Sequence, residues 1–353
     1  AEYRRKGEEL KGGPLPLAVN SGLTSPLSLA ITPHVSYFCC EVHHAAESRK
    51  VPFHPIYVYK LADGLNRPVT STASGGDWAY IMENNLPGLV RTWVALSYAF
   101  GHNLMAPHRQ WCYTQKKGTH WYSGPTEEYA PLYRFVREHA SILDDFEAVG
   151  RIAVLYDNHS RRLGKGDIER ITMSLADANW PFKVLVQGND WLPGYRVDPT
   201  TLGQFDKVIV PEDLQPLPEI QAMLDQARSQ GKLVTWSAGD NLALLGKNPV
   251  QVSSPGAVFI VPRVKTTGEH PVMAIHLVNR QYDGEKDKMI PLTNLTLTID
   301  ETVLPGRADG CRSAKLHSPG KEDMTVVVKP EAKHLTVTIP EIDLWTIVEL
   351  EWR

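Results

Sequence analysis

The segment YFCCEVHH, from Tyr37 to His44, places two cysteines, one carboxylate and two imidazoles directly after a short apolar run. Three kinds of site use such side chains: a metal centre, a redox-active thiol pair, or the polar tip of a buried strand that opens into an active site. If the segment is a strand, Cys39 and Glu41 share one face, and His43 joins them if the strand persists. Glu41 is therefore the carboxylate of greatest interest.

Metal binding and thiol chemistry are the weaker interpretations of this segment. The sequence contains four cysteines, at Cys39, Cys40, Cys112 and Cys311. They have no CxxC spacing and adjacent cysteines do not readily bridge, so we interpret them as small buried hydrophobic residues. On a strand, His43 and His44 point apart, and a shared metal would need a turn and further ligands. Three histidines are available for that role: His34, His102 and His108. We predict neither a metal nor another cofactor.

Length and charge narrow the classes of function. The chain has 353 residues, which is too long for one ordinary core, so we expect two or three domains. Its 37 Lys plus Arg and 40 Asp plus Glu give a net charge of -3, which provides no basic field for nucleic acid. No apolar run approaches the roughly 20 residues of a membrane-spanning helix, and the charged start of the chain as given has no signal-peptide core, which favours the cytoplasm. We expect no nucleic-acid or membrane partner.

The apolar pattern divides the chain into three predicted domains, at residues 1–148, 149–249 and 250–353. In the first, four short apolar segments alternate with longer ones, which predicts a β/α arrangement. The four segments are 15–21, 34–42, 67–74 and 102–107. Two helices are also predicted there, one over about 86–100 and one that starts at Thr126, whose hydroxyl would cap it.

The second and third regions differ in the period of their apolar residues. In the second, continuous apolar strands such as RIAVLYD and KVIVPE alternate with amphipathic helices, which predicts a doubly wound parallel sheet. Its first turn lacks the glycine spacing of a dinucleotide site. In the third, segments such as LTNLTLTID and HLTVTIP alternate in polarity between turns, which predicts an antiparallel β-sandwich.

This order of regions resembles the glycoside hydrolase family 42 β-galactosidases. The segments RPVTSTASGGDW and LPGLVRTWVALSYAFGHNLMAPHRQW are similar to the seventh strand of the family's barrel, the helix after it and the eighth strand. The segment from VGRIAVLYD to KLVTWSAG is similar to its trimerisation-type domain. The resemblance implies an α/β fold class with a partial (β/α) barrel of about four strands, a flavodoxin-like domain and a C-terminal β-sandwich.

The catalytic glutamates of that family are not found in this chain. The family's acid/base follows an Asn in an Asn-Glu pair, and no Asn-Glu dipeptide occurs here. The position that matches its nucleophile is about Ala73, between Thr72 and Ser74. Neither role can be transferred to this sequence by the resemblance.

Polar groups nevertheless follow all four predicted strands, and a barrel places its chemistry at such strand ends. Aromatic rings beside carboxylates, Arg and His are typical of carbohydrate sites. We predict Glu41 and Asp77 as a catalytic pair, because glycoside cleavage needs two carboxyl groups. The predicted substrate-binding residues are Asn20, His43, Trp78, His108, Arg109, Trp111, Tyr113 and Trp121. Structural roles stay open for several of them: a hydrogen-bonded Glu41, a helix-capping Asp77, an ion-paired Arg109 and aromatic side chains that cover the core.

Two functions are consistent with these features. One is a glycoside hydrolase that cleaves β-linked galactosides or glucosides with a non-standard carboxylate site. The alternative is a non-catalytic carbohydrate-binding or oligomeric scaffold protein derived from a glycosidase. Four strands cannot close a barrel, so we expect either a homo-oligomer or a portion of a longer enzyme.

Overall fold

The computed structural model describes residues 2–20, 22–107, 122–237, 241–331 and 333–352. The helices among them are α1 (Glu2–Lys11), α2 (His54–Gly64), α3 (Gly75–Asn84), α4 (Pro87–Ala99), α5 (Thr126–Glu138), α6 (Asn158–Arg162), α7 (Glu169–Asp177), α8 (Pro199–Gly203) and α9 (Pro218–Ser229). The first strands are β1 (Ala18–Asn20), β2 (Tyr37–Val42), β3 (Val69–Ala73), β4 (Asn103–Leu104), β5 (Glu147–Ala148), β6 (Ile152–Asp157), β7 (Phe182–Gln187), β8 (Lys207–Pro211) and β9 (Leu233–Trp236). The later strands are β10 (Val250–Val252), β11 (Val258–Lys265), β12 (Val272–Asn279), β13 (Tyr282–Asp283), β14 (Lys288–Met289), β15 (Leu292–Asp300), β16 (Cys311–His317), β17 (Met324–Glu331), β18 (His334–Ile342) and β19 (Trp345–Trp352).

The first sheet is parallel and its strands lie in chain order, β1-β2-β3-β4. Along β2, Phe38, Cys40 and Val42 are buried, whereas Cys39 is half-buried and Glu41 is exposed. The buried face packs against helices that include α2, where the Tyr59 hydroxyl hydrogen-bonds Ser71 of β3. Helices therefore cover one face of this sheet and leave the other largely accessible.

The second sheet is also parallel, with strand order β7-β6-β8-β9, in which a helix follows each strand but the last. Every residue of β6 is buried, as expected for a central strand with both faces covered. One face of the second sheet packs against α2. This helix is buried on all sides from Pro55 to Ala62 because it lies between the two parallel sheets. A Cβ at Gly64 would lie 2.6 Å from the Val184 carbonyl oxygen, so only glycine allows this close approach.

The third sheet is antiparallel and nine-stranded, with the order β10-β15-β18-β17-β16-β19-β12-β11-β5. It curls over so that both of its halves bury residues in one core: Leu297 and Val337 on one side, Ile275 and Val348 on the other. Its last strand, β5, precedes the second sheet in the chain and pairs with β11. The antiparallel sheet is thus joined to the end of the first region as well as to the second.

Arg263 connects this antiparallel sheet to the helices of the first region. Its buried guanidinium donates to the carbonyl oxygens of Phe100 (2.7 Å) and Phe146 (2.6 Å) and pairs with Asp63 at 3.3 Å. Burial acts to raise the pKa of Asp63, but the charge of Arg263 and a hydrogen bond from His102 outweigh it and hold that pKa well below its usual range. The pair is therefore ionised and fixes the ends of α2 and α4 on β11.

A second connection caps the N-terminus of α4 with a residue that is distant in sequence. Asp287, between the hairpin strands β13 and β14, accepts hydrogen bonds from the backbone N–H groups of Gly88 (2.7 Å) and Leu89 (3.0 Å). Leu86 stands in the capping position and offers no side-chain acceptor. A carboxylate at this place satisfies free N–H groups and complements the helix dipole.

The sequence predicted an α/β fold, and the mixed α/β fold with parallel sheets and an antiparallel sheet confirms it at that level. The four predicted strand segments of the first region contain β1 to β4. Thr126 begins α5, and Pro125 is in the cap position. The domain boundaries stay predictions. Within the described residues, no helix is long and apolar enough to span a membrane.

We predict that Arg263→Ala destabilises the protein by about 3–5 kcal/mol, because it leaves the Asp63 carboxylate buried without its counter-charge. Urea denaturation followed by tryptophan fluorescence would measure the loss as a lower midpoint. Arg307→Ala is the control, since Arg307 pairs with Asp309 in full exposure and its removal should change little. An unchanged midpoint for Arg263→Ala would contradict the role given to this pair.

Candidate functional site

The accessible side of the first sheet carries polar residues from all four strands. The strand register aligns Asn20, Cys39, Thr70 and Asn103 in one row across β1 to β4. Glu41 and Thr72 form the next row towards the carboxyl ends of the strands. Paired residues of parallel strands project to the same side. We call this set the polar face: Asn20, Cys39, Glu41, Thr70, Thr72 and Asn103.

Glu41 lies near the carboxyl end of β2 and its side chain is exposed. No hydrogen bond or ion pair joins it to another residue that the structure describes. Partial burial and the nearby negative charge of Glu41 raise the pKa of the Cys39 thiol, which agrees with their common side of the strand. Cys39 is therefore a neutral thiol, and Glu41 is the carboxylate that a ligand on this face would meet.

Asp77, the predicted partner of Glu41, has a side chain with no exposed surface. Its carboxylate accepts hydrogen bonds from the backbone N–H groups of His44 (2.9 Å) and Ala46 (2.8 Å), and from the Ser74 hydroxyl (2.6 Å). With Ser74 it forms a capping box at the start of α3. Burial acts to raise the pKa of Asp77, but these hydrogen bonds outweigh it and lower the pKa. The geometry gives Asp77 a structural role, in which it holds the loop after β2 against α3.

The two histidines of the opening segment lie in different environments. His43 is exposed, and its Nδ1 lies 3.4 Å from Asp77. His44 is buried against the Trp93 ring at 4.6 Å, and its Nδ1 hydrogen-bonds the Val42 carbonyl oxygen at 2.7 Å. Burial lowers the pKa of His44 to about 4, so it is neutral at pH 7. Of the two, only His43 is accessible to a ligand.

Trp78 was predicted to bind substrate, but its ring is buried in an aromatic cluster. Tyr122 stacks on it with ring centroids 5.0 Å apart, and Trp93 lies 5.5 Å away on a tilted plane. The indole N–H donates to the Thr72 hydroxyl at 3.1 Å. Trp78 therefore contacts Thr72, the buried member of the polar face, and its own buried ring is not exposed to a sugar.

Five of the predicted substrate-binding residues lie outside the residues that the structure describes: His108, Arg109, Trp111, Tyr113 and Trp121. Of the other predicted site residues, Asn20 and Glu41 are exposed on the polar face, and His43 is exposed just beyond it. Thr70 and Asn103 also lie on this face and were not predicted as site residues. The register of four parallel strands would have indicated them, because each is aligned with Cys39.

Two cavities lie away from Glu41. A cavity of about 400 Å³ is lined by Pro68 and His102, which precede β3 and β4, and so lies at the opposite end of the sheet. A second, of about 380 Å³, lies between Ala106, after β4, and Tyr133 of α5. Glu41 lines neither of these two cavities.

Comparisons with known proteins point to carbohydrate-active enzymes. No family model matches the chain. An alpha-agarase from Alteromonas agarilytica is 28% identical over 280 residues, covering 75% of this chain and 18% of its own length. An alpha-agarase from Thalassotalea agarivorans is 27% identical over 285 residues with the same coverage. The chain thus spans about a fifth of the length of these curated relatives.

Two of the solved structures similar to this chain are a fucosidase and a rhamnosidase. The alpha-L-fucosidase isoenzyme 2 from Paenibacillus thiaminolyticus matches with a TM-score of 0.69 at 13% identity, covering 99% of this chain and 70% of the fucosidase. A rhamnosidase from Novosphingobium sp. PP1Y matches with a TM-score of 0.52 at 11% identity, covering 92% of this chain and 35% of that chain. The chain therefore has a glycosidase-like fold. The finer resemblance to family 42 stays a prediction.

We predict that Asp77→Asn destabilises the protein by about 1–3 kcal/mol, because an amide cannot accept all the hydrogen bonds that the buried carboxylate accepts. Thermal and urea denaturation at pH 7 would measure this. Glu41→Gln is the matched control. It replaces the exposed carboxylate of β2 with an amide, which is the same chemical change, and should leave stability unchanged. Equal stability of both variants and the wild type would contradict the structural role of Asp77.

Asp77→Asn should also change how the stability of the protein depends on pH. Because the folded pKa of Asp77 is lowered, its contribution to stability is present above the ordinary carboxyl pKa and is lost as the pH falls through the lowered value. Wild-type stability measured from pH 6 to pH 2 should therefore fall more steeply than that of Asp77→Asn. Parallel pH profiles would contradict this assignment.

Proposed function

We propose that the polar face binds carbohydrate as part of the active site of a glycoside hydrolase. The observation that carries the proposal is the accessible polar face of a parallel sheet, with Glu41 near its carboxyl end. Parallel sheets in α/β proteins are normally covered on both faces, so a polar face that stays partly exposed among the described residues calls for a functional explanation. The glycosidase-like fold supports this interpretation.

Such a face is expected on the inner side of a half-barrel. We interpret the first sheet as four strands of a (β/α) barrel, whose interior side would be the polar face and whose helices cover the outside. In that arrangement Glu41 lies at the carboxyl end, where barrel enzymes place their chemistry. We interpret the second sheet, with its 2-1-3-4 order, as flavodoxin-like and the curled antiparallel sheet as a β-sandwich.

The residues of the polar face suit sugar hydroxyls. Asn20 and Asn103 offer both donors and acceptors, Thr70 offers a hydroxyl, and Glu41 offers a carboxylate acceptor. Such groups fix the orientation of a sugar while aromatic side chains supply apolar contact. We propose Glu41 as the carboxyl group that acts at the glycosidic bond, with His43 beside it.

The second carboxyl group of the reaction does not come from Asp77 in this proposal. The Asp77 oxygens already accept hydrogen bonds from His44, Ala46 and Ser74, and its side chain is buried. Glycoside cleavage uses two carboxyl groups flanking the bond. We propose that the second one is supplied from outside these 353 residues, since the curated relatives are several times longer than the part that matches.

The substrate that we propose is an agar-type galactan, because both curated relatives are named alpha-agarases. The resemblance to family 42 implies β-linked galactosides or glucosides instead. These two substrate classes are distinguished by binding measurements with agar oligosaccharides and with β-galactosides of equal length.

We predict that the chain binds agar oligosaccharides in isothermal titration calorimetry and that Glu41→Gln weakens the binding about ten- to a hundredfold. The estimate assumes a hydrogen bond to a charged group worth about 1.5–3 kcal/mol. Asn103→Ala should also weaken binding. Glu351→Gln, which changes an exposed carboxylate on β19, is the control and should bind as the wild type does. Absence of binding by the wild type would exclude the polar face as a sugar site.

A non-catalytic carbohydrate-binding protein is the second candidate. It is favoured by one observation: among the described residues, no other carboxylate of the polar face accompanies Glu41. Assays of reducing-end release separate the two functions when this chain is tested together with the part that is proposed to supply the second carboxyl group, since turnover that Glu41→Gln abolishes requires a hydrolase. Oligomeric state remains a prediction, and light scattering on the purified chain would measure it.

A further inference from the structure

Two imidazoles and a carboxylate converge where helix α5 meets the curled antiparallel sheet. His139 directly follows α5, His317 ends β16, and Asp323 lies in the turn between β16 and β17. The ring Nε2 of His139 lies 3.4 Å from Asp323 Oδ1, and the ring Nδ1 of His317 lies 2.8 Å from the same oxygen. One ligand atom from each residue thus falls within 4.8 Å of the other two.

The other nitrogen of each imidazole is already engaged. His139 Nδ1 lies 2.8 Å from the Phe135 carbonyl oxygen, which can only accept, so this nitrogen carries a proton and donates. His317 Nε2 lies 2.8 Å from Glu349 Oε2 and donates in the same way. In the neutral rings, the lone pairs of His139 Nε2 and His317 Nδ1 then face the Asp323 carboxylate. Three acceptor atoms in such proximity require a shared cation or additional protons.

These contacts match the outer shell of a metal site. Histidines that bind metals almost always donate their other N–H to a carboxylate or a backbone carbonyl, which fixes the tautomer and ring orientation. Glu349 and the Phe135 carbonyl supply these acceptors here. The second oxygen of Asp323 is held by the Lys315 ammonium at 2.9 Å. Each of the three candidate ligands is therefore oriented by a further group.

The ligand types favour zinc, and one of the distances between ligand atoms agrees with it. Ligand atoms about 2.0–2.2 Å from a tetrahedral zinc ion lie about 3.3–3.6 Å apart, which agrees with the 3.4 Å between His139 and Asp323. The 2.8 Å between His317 and Asp323 would lengthen slightly on binding. Imidazole ligands select zinc over calcium or magnesium, which prefer oxygen. We propose that His139, His317 and Asp323 bind a zinc ion, with water in the fourth position, and that this ion fastens the end of α5 to the antiparallel sheet.

The surroundings provide charge and access for such an ion. Asp323 and Glu349 carry two negative charges against the one positive charge of Lys315. The His317 side chain is 4% exposed and that of Asp323 is 34% exposed, so the ligands are fixed on one side and open to solvent on the other.

The ion would stabilise a contact that packing already makes. His139 lies against the Phe135 ring at 4.3 Å, and Phe135 meets the Trp345 ring of β19 edge-on at 5.2 Å. A zinc ion bound by His139, after α5, and by His317, at the end of β16, would stabilise this junction. A ligand that binds only the folded state stabilises that state.

The test uses the full chain after treatment with a chelator and its removal. Titration with ZnCl2 should give one equivalent bound, and a hundredfold excess of free zinc over Kd should raise Tm by about 4 °C. Co²⁺ in place of zinc should give the visible absorption of a four-coordinate site. His139→Gln and Asp323→Asn, each checked for folding by circular dichroism, should both lose the absorption and the Tm rise.

His334→Ala is the matched control, because His334 also pairs with a carboxylate, Glu331, at 2.8 Å on the same sheet but belongs to no group of three possible ligands among the described residues. It should bind zinc as the wild type does. Three results would overturn the proposal: less than one equivalent of zinc bound by the wild type, unchanged binding by folded His139→Gln, or a stronger response to Ca²⁺ than to Zn²⁺. In those cases the cluster is a hydrogen-bonded group in which an imidazolium neutralises Asp323.

Discussion

The uncovered side of the first parallel sheet is the constraint on which the interpretation of this protein depends. Apolar residues at Phe38, Cys40 and Val42 anchor β2 on the helices, and the period of two then forces Cys39 and Glu41 to the opposite side. The strand register places the residues of the neighbouring strands on the same two sides of the sheet. Thr72 is the buried member of the polar face and accepts the indole N–H of Trp78, whereas the other members are at least partly exposed and are available for recognition.

The rest of the molecule holds that sheet in place. Arg263 joins β11 to the ends of α2 and α4, and Asp287 caps α4 from the hairpin formed by β13 and β14. Asp77 fixes the loop after β2. All three are charged groups whose partners come from distant segments or from buried backbone, and their cost of burial is offset because each is paired or hydrogen-bonded. They position the polar face without forming part of it.

Local patterns were enough to predict the strands of both parallel sheets and five strands of the antiparallel sheet, β12, β15, β17, β18 and β19, since apolar period follows burial. Contacts that depend on tertiary structure were not predictable in this way. The strand β11 was missed because Pro262 lies within VFIVPRVK, and proline argues against a strand interior. The cluster of His139, His317 and Asp323 was missed because His139 lies far in sequence from the other two residues. Helix capping by Asp77 was an open interpretation of the sequence, and the capping box with Ser74 agrees with it. Its hydrogen bonds from the His44 and Ala46 N–H groups depend on tertiary structure and were not predictable.

The central claim is that sugar binds on the polar face. A crystal structure of the chain with a bound agar oligosaccharide tests it most directly. The account predicts a sugar ring over β2 and β3, with hydroxyl groups within hydrogen-bond distance of Glu41 and Thr70 and a further contact at Asn103. A sugar bound only in the cavity between Ala106 and Tyr133, with the polar face empty, would contradict it.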